Sequence, residues 1–512
     1  MVLERHFATR LVRAHDTILL HHASESELPH SLAFLGSLHT DITSWKEERH
    51  GLDYQTDKDL WLYNAKDVVV TGEVIGPLQM DVRLKDQERI YAIDRKVQSM
   101  CVDLHRNGLA VDRAAIARHA AAYGRRKAVA EAKVQRLAHQ HGMREFNPGS
   151  YQQVGELLYD KIGIPFQAKW ETDSGGRGTS MQVLRDMLVS DERTDAERQL
   201  LLDLHEYRRA GKFLSSFVES LTVLNDGRVH ADFNPTGTVS GRLGGGSEDN
   251  PSLLTIPSQL RDIFVASPGH IFVAADMDQI ELRMIAALSG SRNYIAAFNA
   301  KEDPHALTSD LIYGKAWREQ GKEQKDKLRG FAKRFSYACA YGAGNRTVLE
   351  VMRSVEGRNG GFPYLKTSLG EVVRNQRAWL GANPEIESWW EKMIQLWREQ
   401  GYLADLIHGR KRFFLDGIDR NAMVNYPVQA TSIALVHEAT FELYESGFHF
   451  EFEGKGTGLV YQGHDQLIFE CKESSAERVK AAVTRCMNRS YDFLPVKFTS
   501  TAKVGKTWAD LK

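Results

Sequence analysis

Short apolar runs separated by polar loops fill residues 1 to about 90 and end in "LWLYNAKDVVVTGEV". From about 91 to 140 the apolar spacing lengthens to that of long helices, and an Asn-Pro-Gly turn in "FNPGSYQQVGELLYDKIGIP" opens a further one. Glycines then cluster in "TDSGGRGTS" and "SGRLGGGSEDNPS". Apolar and aromatic residues resume at once, so these segments predict loops within folded chain. Strand character enters at "FVAADMDQIELRMIAALSG", where a buried run from Phe272 to Ala275 passes straight into Asp276 and the pattern turns helical. Two β-rich runs in "GLVYQGHDQLIFE" flank Gly463 to Gln466 and predict a hairpin with Asp465 at its turn. In "KLRGFAKRFSYACAYGAG", Arg329, Lys333, Tyr337 and Tyr341 recur every fourth residue, so a helix would carry them as one stripe about 18 Å long.

Composition adds limits rather than an identity. At 512 residues the chain has room for roughly two to four domains. Its 66 Lys and Arg nearly balance 67 Asp and Glu, so a polyanion site would have to be a local patch. The stretch Arg113 to Gln140 is such a candidate, with seven Lys or Arg against one Glu, although a solvated helix face has the same composition. Cys101, Cys339, Cys471 and Cys486 are scattered, without C-x-x-C spacing, which suits a reduced, cytoplasmic protein without a zinc site. No apolar run reaches the roughly 18 residues of a membrane span, and Arg5, Arg10 and Arg13 precede no signal-like apolar core, so neither a membrane nor an export signal is expected.

The chemistry lies in three places. A carboxylate ending a buried strand is costly unless it is paired or bound to a cation, although Asp276 could equally cap the following helix. Asp465 alone would be a turn residue. On the stripe, two cations followed by two aromatics can hold a triphosphate at one end and stack on a base at the other; an ordinary amphipathic helix is the alternative.

In this order, D-x-x-Q-x-E-L-R, R-x-x-x-K-x-x-x-Y-x-x-x-Y-G and H-D resemble the three polymerase motifs of the family A, DNA polymerase I-like, DNA polymerases. "TGTVSGRL", "EDPHALTSDL", "HGRKRFF", "NYPVQATS" and the closing "AKVGKTWADLK" resemble further segments of that family, so the likeness spans about 230 to 512. It implies template-directed addition of deoxynucleoside triphosphates to a primer 3′ end by an in-line phosphoryl transfer with two Mg²⁺ ions. Asp276 and Asp465 would be metal ligands, with the main-chain carbonyl of Met277. Glu281 would sit beneath the sugar and exclude a 2′-hydroxyl, with Gln279 and Arg283 beside it. His305, Arg329 and Lys333 would hold the triphosphate, Lys333 also serving catalysis. Tyr337 would offer its hydroxyl in place of a missing 3′-hydroxyl, and Tyr341, with Gly342, would cover the template base. Arg242, Asn425, Gln429 and His464 would touch primer and template.

The expected fold is α+β, a right-hand polymerase preceded by a partial RNase H-like 3′–5′ exonuclease domain. The expected divisions are 1–90 exonuclease-like, 91–230 helical thumb, 231–290 first palm segment, 291–405 helical fingers and 406–512 second palm segment. Partners would be primer-template DNA and deoxynucleotides, with the protein a monomer, phage-type rather than a bacterial repair enzyme. Departures from the family pattern matter too. Gln466 stands where the family usually has glutamate, and Leu254 where it has a glutamine that reads the minor groove. Tyr63 and Asp67 have the Y-x-x-x-D spacing of the last exonuclease motif, but the earlier carboxylate motifs would lie before Met1, so no autonomous proofreading is expected and a second polypeptide could complete the domain. A sheet edge left incomplete near residue 1 would invite a partner strand. Two alternatives stay open: a catalytically weak primer-template binding subunit, and a single-subunit RNA polymerase-like enzyme, against which Glu281 argues.

Overall fold

The computed structural model describes residues 14–42, 45–46, 57–188, 190, 192–247, 250–353, 367–446 and 458–511. At its centre is a four-stranded sheet of β1 (His270–Asp276), β2 (Gly458–Gln462), β3 (Gln466–Lys472) and β4 (Lys503–Gly505), in the order β4-β1-β3-β2 and antiparallel throughout. Phe272 to Ala275 and the whole of β2 are buried. These strands therefore read as continuous apolar runs rather than alternating ones. The strand read in the sequence is the core of β1, and the expected hairpin is β2–β3.

Helices surround the sheet. α1 (Thr17–Ser24), α2 (Leu32–His39) and α3 (Asp57–Leu84) pack through Leu19, Leu20, Leu35, Val70 and Val74, all buried. Asp16 and Ser31 cap the first two by accepting backbone N–H groups of their first turns. α4 (Glu88–Asn107) joins α1 and lies against β2. The described part of residues 1–90 is helix and connecting turn; the sheet edge expected near residue 1 falls outside the described residues.

α5 (Arg113–Gln140) and α6 (Asp195–Phe213) run along each other. Over part of their length they bury a second hydrophobic cluster, which includes Val134, Leu157, Trp170, Leu184 and Leu201 and is separate from the main core. Two of the seven cations of α5 are spent on α6, as Arg126–Glu206 at 2.6 Å and Lys133–Asp203 at 3.2 Å.

Further helices follow along the chain: α7 (Ile280–Ser289), then α8 (Pro304–Tyr313), α9 (Lys322–Ala340), α10 (Asn345–Arg353), α11 (Leu369–Ala382) and α12 (Pro384–Gln400), the last five each packing on the next. α13 (Arg420–Glu445) is buried along most of its length, packs on α7 and α12, and meets α14 (Ala476–Met487), which in turn lies on β1. Burial all round, taking in Thr431, Ser432, His437 and Thr440 as well as the apolar residues, marks a helix inside the core. All four cysteines are free and buried. No helix among the described residues is long and apolar enough to cross a membrane.

Candidate active site

The register of the sheet brings the two aspartates together. Asp276, the last residue of β1, pairs with Gln466, the first of β3, and the next residue, Met277, donates its N–H to the carbonyl of Asp465 at 2.9 Å. Residues nearly 190 positions apart in sequence thus meet at one end of the sheet. The Asp276 carboxyl is pushed up to about 7, first by loss of solvent around it and then by the charge of Asp465, with Asp278 third; Lys333 and Lys503 act the other way. Asp465 is also raised, by burial first and then by Glu281. Burial and neighbouring carboxylates thus disfavour the charged form of both groups, the direction a bound cation would oppose.

This donor set fits a hard divalent cation. Carboxylate oxygens and a main-chain carbonyl are its preferred ligands. No cluster of three or more His, Cys, Asp or Glu side chains suited to a metal occurs among the described residues, so water and substrate oxygens would complete the coordination. Gln466 is buried directly across from Asp276, and directly opposed residues of an antiparallel pair project to the same face. Its amide therefore projects to the same face as Asp276 and adds no charge there.

The helical stripe faces this pair. Arg329, Lys333 and Tyr337 lie on α9, and Tyr341 caps its end. Lys333 sits 6.0 Å from the Tyr337 ring centroid and has no ion-pair partner among the described residues. Arg329 Nη2 is bound to Asp303 at 3.1 Å, so an anion there would compete with a carboxylate that the sequence reading did not single out. Asp303 also caps α8 through the His305 N–H at 3.2 Å. The His305 ring is buried 6.0 Å from Tyr337, and neither of its ring nitrogens has a hydrogen-bond partner. Its pKa is lowered to about 4, by burial first, although Asp303 opposes this, so the ring is neutral and can donate one N–H.

Glu281, in the first turn of α7, is held from two sides. Arg242 pairs with one carboxylate oxygen and the Tyr341 hydroxyl donates to the other at 3.2 Å. The Tyr337 hydroxyl is kept well above its usual pKa by burial and by the nearby charges of Glu281 and Asp465. Gln279 adopts the left-handed region at φ 51°, and its side-chain oxygen is buried without a partner. Arg283 instead serves the backbone, donating to the carbonyls of Asp278 at 2.7 Å and Lys497 at 2.6 Å, with its guanidinium over Phe298.

The other residues read in the sequence line the surroundings. His464 is exposed at the β2–β3 tip near Arg242. Asn425 and Gln429 lie one turn apart on α13 and share a 3.4 Å hydrogen bond. Gly342, at φ 74°, gives its carbonyl to Arg420 at 2.9 Å and borders a cavity of about 570 Å³ lined also by Asn345, Gln376, Arg377 and Trp390. Leu254 lies on a short 3₁₀ turn, Leu253–Thr255, half-buried against the main core.

The Tyr63–Asp67 pair is far simpler than an exonuclease centre. Both residues lie on α3, and the Asp67 carboxylate accepts from Lys46 at 2.6 and 2.8 Å and from the Trp45 indole at 2.7 Å. Lys46 also donates to the Tyr63 hydroxyl at 2.9 Å. An ammonium already neutralises this carboxylate.

Sequence reading missed Asp278, Asp303 and Lys503. The first two stand inside recognised segments, but only packing reveals that Asp303 closes on Arg329. Lys503 lies on the edge strand β4 and reaches Asp276 only because β4 pairs with β1.

Residues 114–510 match the model of DNA polymerase family A. DNA polymerase I of Chloroflexus aurantiacus is 27% identical over 471 residues, covering 88% of this chain and 46% of that protein. The thermostable DNA polymerase I of Thermus aquaticus is 28% identical over 454 residues, covering 84% of this chain and 50% of that protein. The chain spans about half the length of these relatives. Among solved structures, the POL domain of Pol1 from M. smegmatis, in complex with DNA primer-template and dNTP, superposes with a TM-score of 0.77 at 22% identity, covering 97% of this chain and 82% of that one. With the matched segment extending over most of its length, this chain belongs to DNA polymerase family A.

Proposed function

We propose that this chain is a DNA polymerase that extends a primer 3′ end with deoxynucleotides along a DNA template. The observation that carries the reading is the meeting of Asp276 and Asp465 at one sheet end, facing the Arg329–Lys333–Tyr337 stripe of α9. Support also comes from the family and from the relatives' activity in their names. The two palm segments, 231–290 and 406–512, are those that supply the sheet. The fingers, 291–405, supply α9, and the thumb, 91–230, contains the separate α5–α6 cluster, with α4 rooting it on the palm sheet.

Asp276, Asp465 and the Met277 carbonyl would hold two Mg²⁺ ions, which when bound would activate the primer 3′-oxygen and neutralise the leaving pyrophosphate. Lys333 and Arg329 would attract the triphosphate, with Arg329 exchanging Asp303 for phosphate oxygens and His305 donating its N–H. Glu281, fixed by Arg242 and Tyr341, would leave no space for a 2′-hydroxyl. Arg242, His464, Asn425 and Gln429 would contact the new pair from primer and template sides, and Tyr341 with Gly342 would cover the template base.

Primer extension on a 5′-labelled hairpin with an overhang, with Mg²⁺ and four deoxynucleotides, tests the reading. Extension is the expected result; DNA binding without extension would favour a binding subunit, and efficient ribonucleotide addition an RNA polymerase. We also propose that the Tyr63–Asp67 pair gives no proofreading, since Lys46 occupies its carboxylate. Withholding nucleotides in the same assay should leave the labelled primer at full length.

Two substitutions refine this picture. Tyr337→Phe removes one hydroxyl from the sugar-facing side, so discrimination against dideoxynucleotides should rise about tenfold, the scale of one hydrogen bond in a desolvated site. Equal incorporation by both proteins would remove Tyr337 from sugar recognition. Gln466→Glu adds a third carboxylate beside Asp276. The Mg²⁺ concentration for half-activity should fall, while the metal-free protein at pH 8 should melt at a lower temperature because of the added repulsion.

A further inference from the structure

The loop that carries Arg242 is gripped from beneath by the N-terminal helices. Nε2–H of His22, on α1, donates to the main-chain carbonyl of Thr238 at 3.1 Å, a carbonyl being able only to accept. The hydroxyl of Thr238 in turn donates to the main-chain carbonyl of Arg242 at 2.8 Å. One residue before Arg242, Gly241 takes φ 82°, and a Cβ there would lie 2.9 Å from Nε of Arg410, so the backbone rests directly on that guanidinium. Arg410 is held by Asp94 of α4 in a buried ion pair, and Nδ1 of His22 lies 3.6 Å from the same carboxylate. His22 and Asp94 are each 1% exposed and Arg410 is 5% exposed, so water does not compete for these contacts. Burial alone would raise the Asp94 carboxyl, but Arg410 and His22 hold it at about 2, which keeps the anchor charged.

We propose that His22 is a positioning residue for sugar selection. Through Thr238 it fixes the backbone of Arg242, and Arg242 fixes Glu281. The inference rests on the reading of Glu281 given above and deepens it. It assigns to the helical N-terminal segment a part in synthesis: bracing the palm loop whose arginine holds the sugar-selecting carboxylate. Without the brace, Arg242 can retreat, Glu281 keeps only Tyr341 as a partner, and the space meant for a bare C2′ widens.

The readout is the ratio of kcat/KM for a deoxynucleotide to that for the matching ribonucleotide. This ratio is independent of how much enzyme is folded, because both substrates meet the same active fraction. His22→Ala should lower it about fivefold, the effect of one lost hydrogen bond in the interior. His22→Gln, whose side-chain amide can donate at the position of Nε2, should return it to within about twofold of wild type. Thr238→Val, close in volume and half-buried, removes the second link and should lower the ratio comparably; it decides the matter if His22→Ala does not fold. Glu281→Ala is the reference variant. A lowered ratio in Glu281→Ala with wild-type ratios in His22→Ala and Thr238→Val overturns the brace alone. An unchanged ratio in Glu281→Ala overturns the sugar-selection reading, and the brace with it.

Discussion

Asp276→Asn should slow primer extension by about 10³-fold or more while leaving primer-template affinity near wild type. The substitution keeps shape and hydrogen-bonding capacity but removes one of the two carboxylates that the sheet register brings together. Single-turnover extension measures the first quantity, and a gel-shift titration the second. The same variant has a pH signature in the metal-free protein. The Asp276 carboxyl stands near 7, well above its usual 3.8, so the folded chain holds this proton more tightly than the unfolded chain. Stability from this group is therefore present at low pH and is lost as pH rises from about 4 through about 7. Asp276→Asn should melt above wild type at pH 8 without metal, and the gap should narrow at pH 5 and close only near pH 4 and below, where the unfolded carboxyl is protonated too. A gap of the same size at pH 8 and near pH 4 would show that neither burial nor Asp465 raises the Asp276 carboxyl.

The second large effect is expected at Lys333. Lys333→Ala should lower kcat/KM for the incoming nucleotide about 10²-fold, since it removes an exposed cation that acts on both aspartates and has no ion pair of its own among the described residues. Arg329→Ala should cost less, because Asp303 already shields that guanidinium in the absence of substrate. Lys333→Arg should recover only part of the loss, as a planar fork cannot take the place of a compact ammonium beside Tyr337. Pre-steady-state nucleotide titrations separate these cases; if Arg329→Ala proves the more damaging, Asp303 is not the resting partner of Arg329 in solution.

Local pattern carried the site a long way. The apolar run before Asp276, the β-rich flanks of Asp465 and the four-residue recurrence from Arg329 to Tyr341 correspond to β1, the β2–β3 hairpin and α9. Each is a short segment whose own periodicity dictates its form. The basic stretch from Arg113 to Gln140 was less transparent: its helix was legible, but the engagement of Arg126 and Lys133 by Glu206 and Asp203 was not, since those partners lie some 70 to 80 residues further on. The N-terminal segment shows the same limit. Tyr63 and Asp67 had the spacing of a catalytic motif, and nothing in that spacing could disclose that Lys46 would already neutralise the aspartate.

By itself, then, the sequence determined the strand before Asp276, the hairpin at Asp465 and the helix of Arg329, and which side chains are candidates for the chemistry, because those properties follow from neighbours a few positions away. Tertiary structure alone decided the rest. Pairing of β1 with β3 set Asp276 beside Asp465; the approach of α8 to α9 placed Asp303 on Arg329; and α1 and α4 came beneath the loop of Arg242. Each of these contacts joins residues far apart in sequence. Their loop-closure entropy is recovered only by burial of the whole core, so no local pattern announces them.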